Sequence, residues 1–331
     1  MQRTIDWDDS GGGAVVIIDQ CALPGTYRTL RLSTPEELVG AIRRLAVRGA
    51  PALGAAGALG VVLAARVHGG DRGAVHADAE RIAAARPTAV NLRRGVERAL
   101  AALPEGPEAV LAQALAMLDE DARVNREASR HAADLLLREV GRRPLRLLTH
   151  CNTGRLAAVE WGTALGVVWH LHADGQVEYV LADETRPLLQ GSRLTAWELA
   201  EAGVRYRVLP DSAAASALAR GLVDAVVVGA DRIAANGDVA NKVGTYPLAL
   251  AAAHHGIPFV VVAPSSTVDT ALPDGTAIVI EERAADEVTC VAGVPVSPDG
   301  AEVFNPAFDV TPVDLVTAVV TEDGVLAGRA R

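Results

Sequence analysis

Apolar and polar positions change period once along the chain. Up to about residue 140 they recur mostly at three- and four-residue spacing, the signature of amphipathic helices. A short β-prone stretch, Val15–Asp19, comes first, and Arg28–Leu32 is able to pair with it. Pro35-Glu36-Glu37 then opens a helix through about Leu45, with proline in the first turn and acids near the positive dipole end. An uncharged run of 17 residues, Gly49–Ala65, follows with Pro51 near its start. It is at the short end of the roughly 17–25 residues that span a bilayer. Gly and Ala dominate it, so it reads as a buried helix packed closely against its neighbours. Further helices are predicted over Gly73–Ala84, Thr88–Leu103 and Glu108–Val140, the last with Leu111, Leu115, Leu118 and Ala122 at helical spacing.

After Gly141-Arg142-Arg143-Pro144, short apolar runs alternate with helical stretches. The strand candidates are Leu145–Thr149, Val177–Ala182, Val204–Leu209, Val223–Val228, Pro258–Ala263 and Ala277–Ile280. Helices are predicted between them at about Leu156–Leu171, Gly191–Ala202, Ala213–Arg220 and Tyr246–His255. This rhythm predicts an α/β protein: a mainly helical N-terminal domain with a small β element over 1–140, then a domain over 141–331 built on a mostly parallel sheet. Ligands of such sheets sit beyond the carboxyl ends of the strands.

Composition narrows the function classes. The 331 residues are 50% hydrophobic and 22% charged, a globular balance. A formal charge of −10 and 3% aromatic content speak against nucleic acid or an anionic membrane surface as a partner. Any anionic ligand must be held by a local cluster. Lys242 is the single lysine among 31 basic residues, which suggests a place that needs a compact point charge. Three widely spaced cysteines, Cys21, Cys151 and Cys290, do not form a disulfide framework and fit a reducing cytoplasm. Met1–Asp9 lacks the basic and apolar regions of a signal peptide.

Polar residues crowd the segments after the strands: Thr149–Gly154, Asp183–Pro187 leading to Gln190-Gly191, Gly229–Arg232 with Asn236–Asp238 and Asn241–Thr245, and Pro264–Thr267. Any one of these is ordinary turn chemistry; four on one rim point to an active site. A nicotinamide site is disfavoured, because Gly54, Gly57 and Gly60 miss the G-x-G-x-x-G spacing and follow a helix signal. His150 beside Cys151 raises a Cys–His hydrolase pair, but neighbours on an extended segment point to opposite sides. No His, Cys and Asp set has metal-ligand spacing.

Several pieces together carry a resemblance: Arg48–Ala52, Arg86–Leu92, Thr149–Gly154, Asp183–Pro187 with Leu189–Gly191, Gly229–Lys242, and Asn305–Pro312. They resemble methylthioribose-1-phosphate isomerases, a family shared with ribose-1,5-bisphosphate isomerase and the regulatory subunits of the eukaryotic translation guanine-nucleotide exchange factor. The resemblance implies a helical N-terminal domain, a Rossmann-like C-terminal domain and a homodimer. It implies an aldose-to-ketose isomerisation of a sugar 1-phosphate, 5-methylthioribose 1-phosphate first, without metal or nicotinamide. It places the catalytic Cys at Cys151 and the catalytic Asp at Asp231. Substrate contacts fall on Arg48, Gly49, Ala50, Arg86, Gln190, Asn241 and Lys242.

Cys151 follows a strand and precedes a predicted helix, whose N-terminus would favour thiolate. Asp231 in a dry pocket is suited to act as an acid. The chain departs from the family pattern at Cys21, at Arg126–Ala132, and at Arg155, Trp169, His170 and Leu188. These departures leave open another 5-substituted, 5-deoxy or 5-phospho ribose 1-phosphate as substrate. A non-catalytic assembly subunit of the same fold is the rival from another class, and retention of both Cys151 and Asp231 argues against it.

Overall fold

A computed structural model describes residues 2–87 and 89–328. Thr88, which the sequence reading placed in the Arg86–Leu92 motif and at the start of a helix, lies outside the described residues. Two compact units divide the chain: residues 1–127 with 153–163, and residues 128–152 with 164–331.

In the first unit, strands β1 (Ile5–Asp8), β2 (Ala14–Ile18) and β3 (Thr29–Leu32) form an antiparallel sheet with β2 in the middle. The expected pairing of the second and third is present, and β1 is an addition. Helices α1 (Pro35–Arg43), α2 (Ala50–His68), α3 (Arg72–Ala83), α4 (Val90–Leu100) and α5 (Pro107–Glu139) follow, with α5 passing into the second unit at residue 128. A capping box opens α1: Glu37 N–H donates to Thr34 Oγ1 and Thr34 N–H to the Glu37 carboxylate. It contributes about 1 kcal/mol.

The α2 helix is apolar and long enough to cross a membrane, but it is buried in the core of this unit. Its glycines explain how closely it is packed. A Cβ on Gly57 would lie 2.4 Å from the Leu92 carbonyl oxygen, and one on Gly95 would lie 2.0 Å from that of Gly54. Segment 153–163 closes the unit. Val159 N–H donates to Asp121 on α5 and Thr4 N–H to the Val159 carbonyl. Burial outweighs the hydrogen bond from Val159 N–H and pushes the Asp121 carboxyl up to about 6.

The second unit is built on a seven-stranded sheet. Its strands are β4 (Leu145–Thr149), β5 (Val177–Asp183), β6 (Tyr206–Leu209), β7 (Ala225–Val228), then β10 (Phe259–Val262), β15 (Ala318–Thr321) and β16 (Gly324–Ala327). The order across the sheet is β16-β15-β10-β7-β4-β5-β6, with only β16 antiparallel. Helices α6 (Ala164–Ala173), α7 (Ala196–Glu201), α8 (Ala214–Ala219) and α9 (Thr245–His254) connect the strands. Strands β7, β10 and β15 are Val-rich and buried throughout, as expected where both faces are covered.

A second sheet, ordered β11-β8-β9-β14, holds β8 (Arg232–Ala234), β9 (Val239–Lys242), β11 (Val268–Asp269) and β14 (Phe308–Thr311). A short helix α10 (Asp286–Thr289) leads into the hairpin of β12 (Cys290–Val291) and β13 (Val294–Pro295).

Three local expectations are corrected. Ala277–Ile280 is not a strand: it finds no partner, because Ile278 packs on Ala234 and Ala240 while Val279 is 79% exposed. The helix predicted over Leu156–Leu171 covers only Ala164–Ala173. Its first part doubles back instead, with Gly154 bridged to Gly162, which has φ of 92°. The polar stretch after β7 is not one loop but contains β8 and β9.

Candidate active site

The parallel strands turn over at one place. Chain order runs outward from β4 to β5 and β6 on one side, then returns to β7 on the other. Leu148 of β4 is the register partner of Val226 of β7. Cys151 and Asp231 therefore leave the carboxyl ends of neighbouring strands at a topological switch point, where open α/β sheets bind ligands.

Cys151 is 8% exposed and has φ of 64°, a left-handed conformation that few non-glycine residues adopt. Two buried threonines hold it there. Its N–H donates to Thr185 Oγ1 at 2.9 Å, and its carbonyl accepts from Thr195 Oγ1 at 2.6 Å. Thr185 and Leu189 also have positive φ, 65° and 58°. Gly191 makes this crowding possible, since a Cβ there would lie 1.6 Å from the Asp183 carbonyl oxygen. Gln190, beside it, is buried with an Oε1 that has no hydrogen-bond partner among the described residues. The helix expected directly after Cys151 is absent, and the first α-helix beyond it starts at Ala164.

His150 ties the cysteine turn to the β9 end. Nε2–H donates to the Val243 carbonyl at 2.9 Å, and Nδ1 lies 2.9 Å from Asp183 Oδ2. Two acceptors face one imidazole, so the pair retains a proton. Burial pushes His150 down, but the hydrogen bond and charge of Asp183 outweigh it and hold the imidazole above its ordinary range. Burial likewise pushes Asp183 up, against the pull of His150. With both ring nitrogens occupied, His150 is not placed as a base for Cys151.

Asp231 and Asn241 are adjacent through the second sheet: Asp231 N–H donates to the Ala240 carbonyl at 2.9 Å. Asn241 is buried, and its Nδ2 donates to Thr245 Oγ1. Lys242 Nζ donates to the Ala307 carbonyl at 2.8 Å and stands 4.9 Å from the Phe308 ring centroid. Asp309 accepts from Gly244 N–H and Tyr246 N–H at the start of α9, and burial raises its carboxyl.

Cys151, Gln190, Asp231, Asn241 and Lys242 all belong to the second unit. Arg48, Gly49, Ala50 and Arg86 belong to the first unit. There, Gly49 has φ of 93°, and a Cβ on it would lie 2.3 Å from the Ala157 carbonyl oxygen. A Cβ on Gly54 would lie 3.4 Å from the Asn91 carbonyl oxygen, so α2 and α4 meet through their first turns. Arg48 and Arg86 precede those two helix starts, where free N–H groups and the positive dipole end suit an anion.

One cluster deserves a test as a metal site. Ligand atoms of His150, Asp183 and Asp211 lie within 4.8 Å of one another. Both His150 nitrogens are already in use, and Asp211 accepts Thr185 N–H and Arg186 N–H, each at 2.7 Å. These donors serve the protein's own turn, and the residues do not fit a resident metal. A cavity of about 280 Å³ beside them, lined by Asp183, Asp211, Ser212, Gly244, Pro247 and Leu248, has neither Cys151 nor Asp231 in its wall.

The sequence does not single out Thr195 or Asp309 as parts of the site, and it raises His150 only as a hydrolase partner for Cys151. Thr185 stood in a segment marked as polar, but nothing in its type signals a left-handed backbone.

Residues 46–328 match the initiation factor 2 subunit family. Over 98% of its length the chain is 61% identical to a probable bifunctional methylthioribose-1-phosphate isomerase/methylthioribulose-1-phosphate dehydratase of Nocardia farcinica, and it spans 59% of that protein. It is 52% identical to a methylthioribose-1-phosphate isomerase of Citrobacter koseri, covering 94% of this chain and 91% of the relative. The crystal structure of 5-methylthioribose 1-phosphate isomerase from Pyrococcus horikoshii is similar with a TM-score of 0.90 and 39% identity, covering 99% of this chain and 93% of that one.

Proposed function

The chain belongs to the initiation factor 2 subunit family, and on that premise we propose that it is the isomerase that converts 5-methylthioribose 1-phosphate to 5-methylthioribulose 1-phosphate, a step of methionine salvage. The single observation that supports this most is that Cys151 and Asp231 each follow the carboxyl end of one of two neighbouring parallel strands, β4 and β7.

An aldose esterified at C1 has no free aldehyde, so the ring must open with the phosphate attached. In one route Cys151 takes the C2 proton, the C1–C2 double bond forms, and the C1–ring-oxygen bond breaks as Asp231 protonates the leaving oxygen. Cys151 then returns its proton to C1 while the 2-hydroxyl gives its proton back to Asp231. In the other route hydride passes from C2 to C1 within the opened sugar. Both need an acid at the ring oxygen and a group facing C1 and C2. Neither changes the net oxidation state of enzyme or medium, so no external redox carrier takes part.

By the resemblance of their motifs, substrate contacts are assigned to Arg48, Gly49, Ala50 and Arg86 of the first unit and to Gln190, Asn241 and Lys242 of the second. The enzyme acts as a homodimer in the cytoplasm, where a reducing environment keeps the Cys151 thiol available. Purified protein with 5-methylthioribose 1-phosphate and chelator, without nucleotide, should form the ketose. A requirement for nicotinamide or a divalent metal would reject this chemistry, and absence of any turnover would favour an assembly subunit.

A further inference from the structure

Cys151 owes its conformation to two side chains outside its own loop. Its left-handed backbone is satisfied on both sides by hydroxyls that are fully buried, Thr185 and Thr195. The polarity of each bond is set by what lies behind it. Thr185 Oγ1 donates its own proton to the Asp183 carbonyl at 3.1 Å, so toward Cys151 N–H it can only accept. Thr195 Oγ1 donates to the Cys151 carbonyl and accepts from Asn152 Nδ2 at 3.2 Å. The same amide donates to Glu198 at 2.8 Å, which fixes its orientation.

Thr185 is itself anchored. Its N–H donates to Asp211, its φ is 65°, and Gly191 leaves the space that a Cβ would take 2.9 Å from its hydroxyl. A β-branched residue with positive φ is a genuine outlier, and such strain persists only where the surroundings over-determine it. An inert core cysteine needs no such apparatus.

We propose that Thr185 and Thr195 are positioning residues that clamp the Cys151 backbone in its left-handed turn and thereby aim its thiol. The proposal rests on the reading of Cys151 as the reacting thiol. Each threonine acts through the direction of the Cys151 Cα–Cβ bond.

Threonine-to-valine variants remove each hydroxyl with little change of shape, and threonine-to-serine variants keep it. Turnover of 5-methylthioribose 1-phosphate, melting temperature, and the rates of iodoacetamide alkylation at Cys151 and Cys290 are measured on the full chain. Thr185→Val and Thr195→Val should each lower kcat at least about tenfold with KM changed less than about twofold, because a misaimed group loses chemistry before binding. Alkylation should change at Cys151 and not at Cys290, and Thr185→Ser and Thr195→Ser should recover most of the loss. If Thr185→Val does not fold, Thr195→Val, which breaks only the carbonyl side, reads the same property.

Folded valine variants with wild-type kcat and an unchanged Cys151 alkylation rate would overturn the proposal, as would serine variants as impaired as the valines. The catalytic reading fails separately. Full turnover by Cys151→Ser would remove it, while the alkylation rates would still report whether the threonines aim the thiol.

Discussion

Cys151 and Asp231 stand at the carboxyl ends of two hydrogen-bonded parallel strands whose register is set by the partners Leu148 and Val226. The strands lie on either side of the point where the sheet's chain order reverses. The polar segments that follow them meet where His150 Nε2 lies 2.9 Å from the Val243 carbonyl oxygen.

Phosphate binding gives the first expectation. Lys242 supplies a point charge on β9, and Arg48 a guanidinium at the start of α2. Loss of one charged hydrogen bond costs about 1.5–3 kcal/mol, or roughly 10- to 150-fold in affinity. Lys242→Ala and Arg48→Ala should weaken substrate binding and inhibition by inorganic phosphate by that range. Unchanged constants for both ligands would remove these residues from the phosphate site.

The C5 substituent is the second. Values of kcat/KM for 5-methylthioribose 1-phosphate, 5-deoxyribose 1-phosphate and ribose 1,5-bisphosphate should fall in that order. Arg155 is buried in the first unit, where its guanidinium donates to the Gln2 carbonyl at 3.3 Å. A preference for the bisphosphate would reassign Arg155 as a second phosphate contact.

Much of this was legible beforehand. The helices of the first unit and five of the six strand candidates follow from apolar period, because long runs of Ala, Leu and Val bury themselves wherever the chain goes. The cysteine turn was not legible in the same way. Its shape depends on Thr185, Thr195 and Gly191, contacts that span 34 to 44 residues of chain in the two hydrogen bonds to Cys151. The return of 153–163 to the first unit was hidden for a similar reason: Gly154 and Gly162 close it by backbone approach, which leaves no periodic trace. Strand β15, the edge strand β16 and the sheet of β8 and β9 are short, and turn residues masked them.

Gly244 supplies a third expectation. It has φ of 107°, and a Cβ would lie 2.7 Å from His150 Cε1. Gly244→Ala should lose about 1–3 kcal/mol of stability through backbone strain and should lower kcat by displacing His150 from Val243. Denaturant unfolding and turnover check both. Wild-type values of each would show that the His150 link is not under constraint.

The fourth concerns pH. The Asp121 carboxyl is raised from 3.8 to about 6 by burial, so the folded state binds its proton more tightly than the unfolded chain. Its stabilising contribution is complete below the unfolded value and is lost as pH rises through about 6. Asp121→Asn keeps an acceptor for Val159 N–H and carries no charge. The variant should be more stable than wild type at pH 8, by about 1–3 kcal/mol, and the gap should close toward pH 4. A gap that does not vary with pH would show that the carboxyl is not perturbed.

The most direct measurement is kcat of Cys151→Ser and Asp231→Asn with 5-methylthioribose 1-phosphate. Each should lose about 10²–10⁴ in rate, the usual effect of removing a positioned acid or base. Phosphate inhibition should be kept, and the double variant should fall little below the worse single one because the two act as a unit. Cys21→Ser and Cys290→Ser, which have no part in the proposed chemistry, should remain active. Near-normal turnover by Cys151→Ser or Asp231→Asn would contradict the assignment of the active site to this pair.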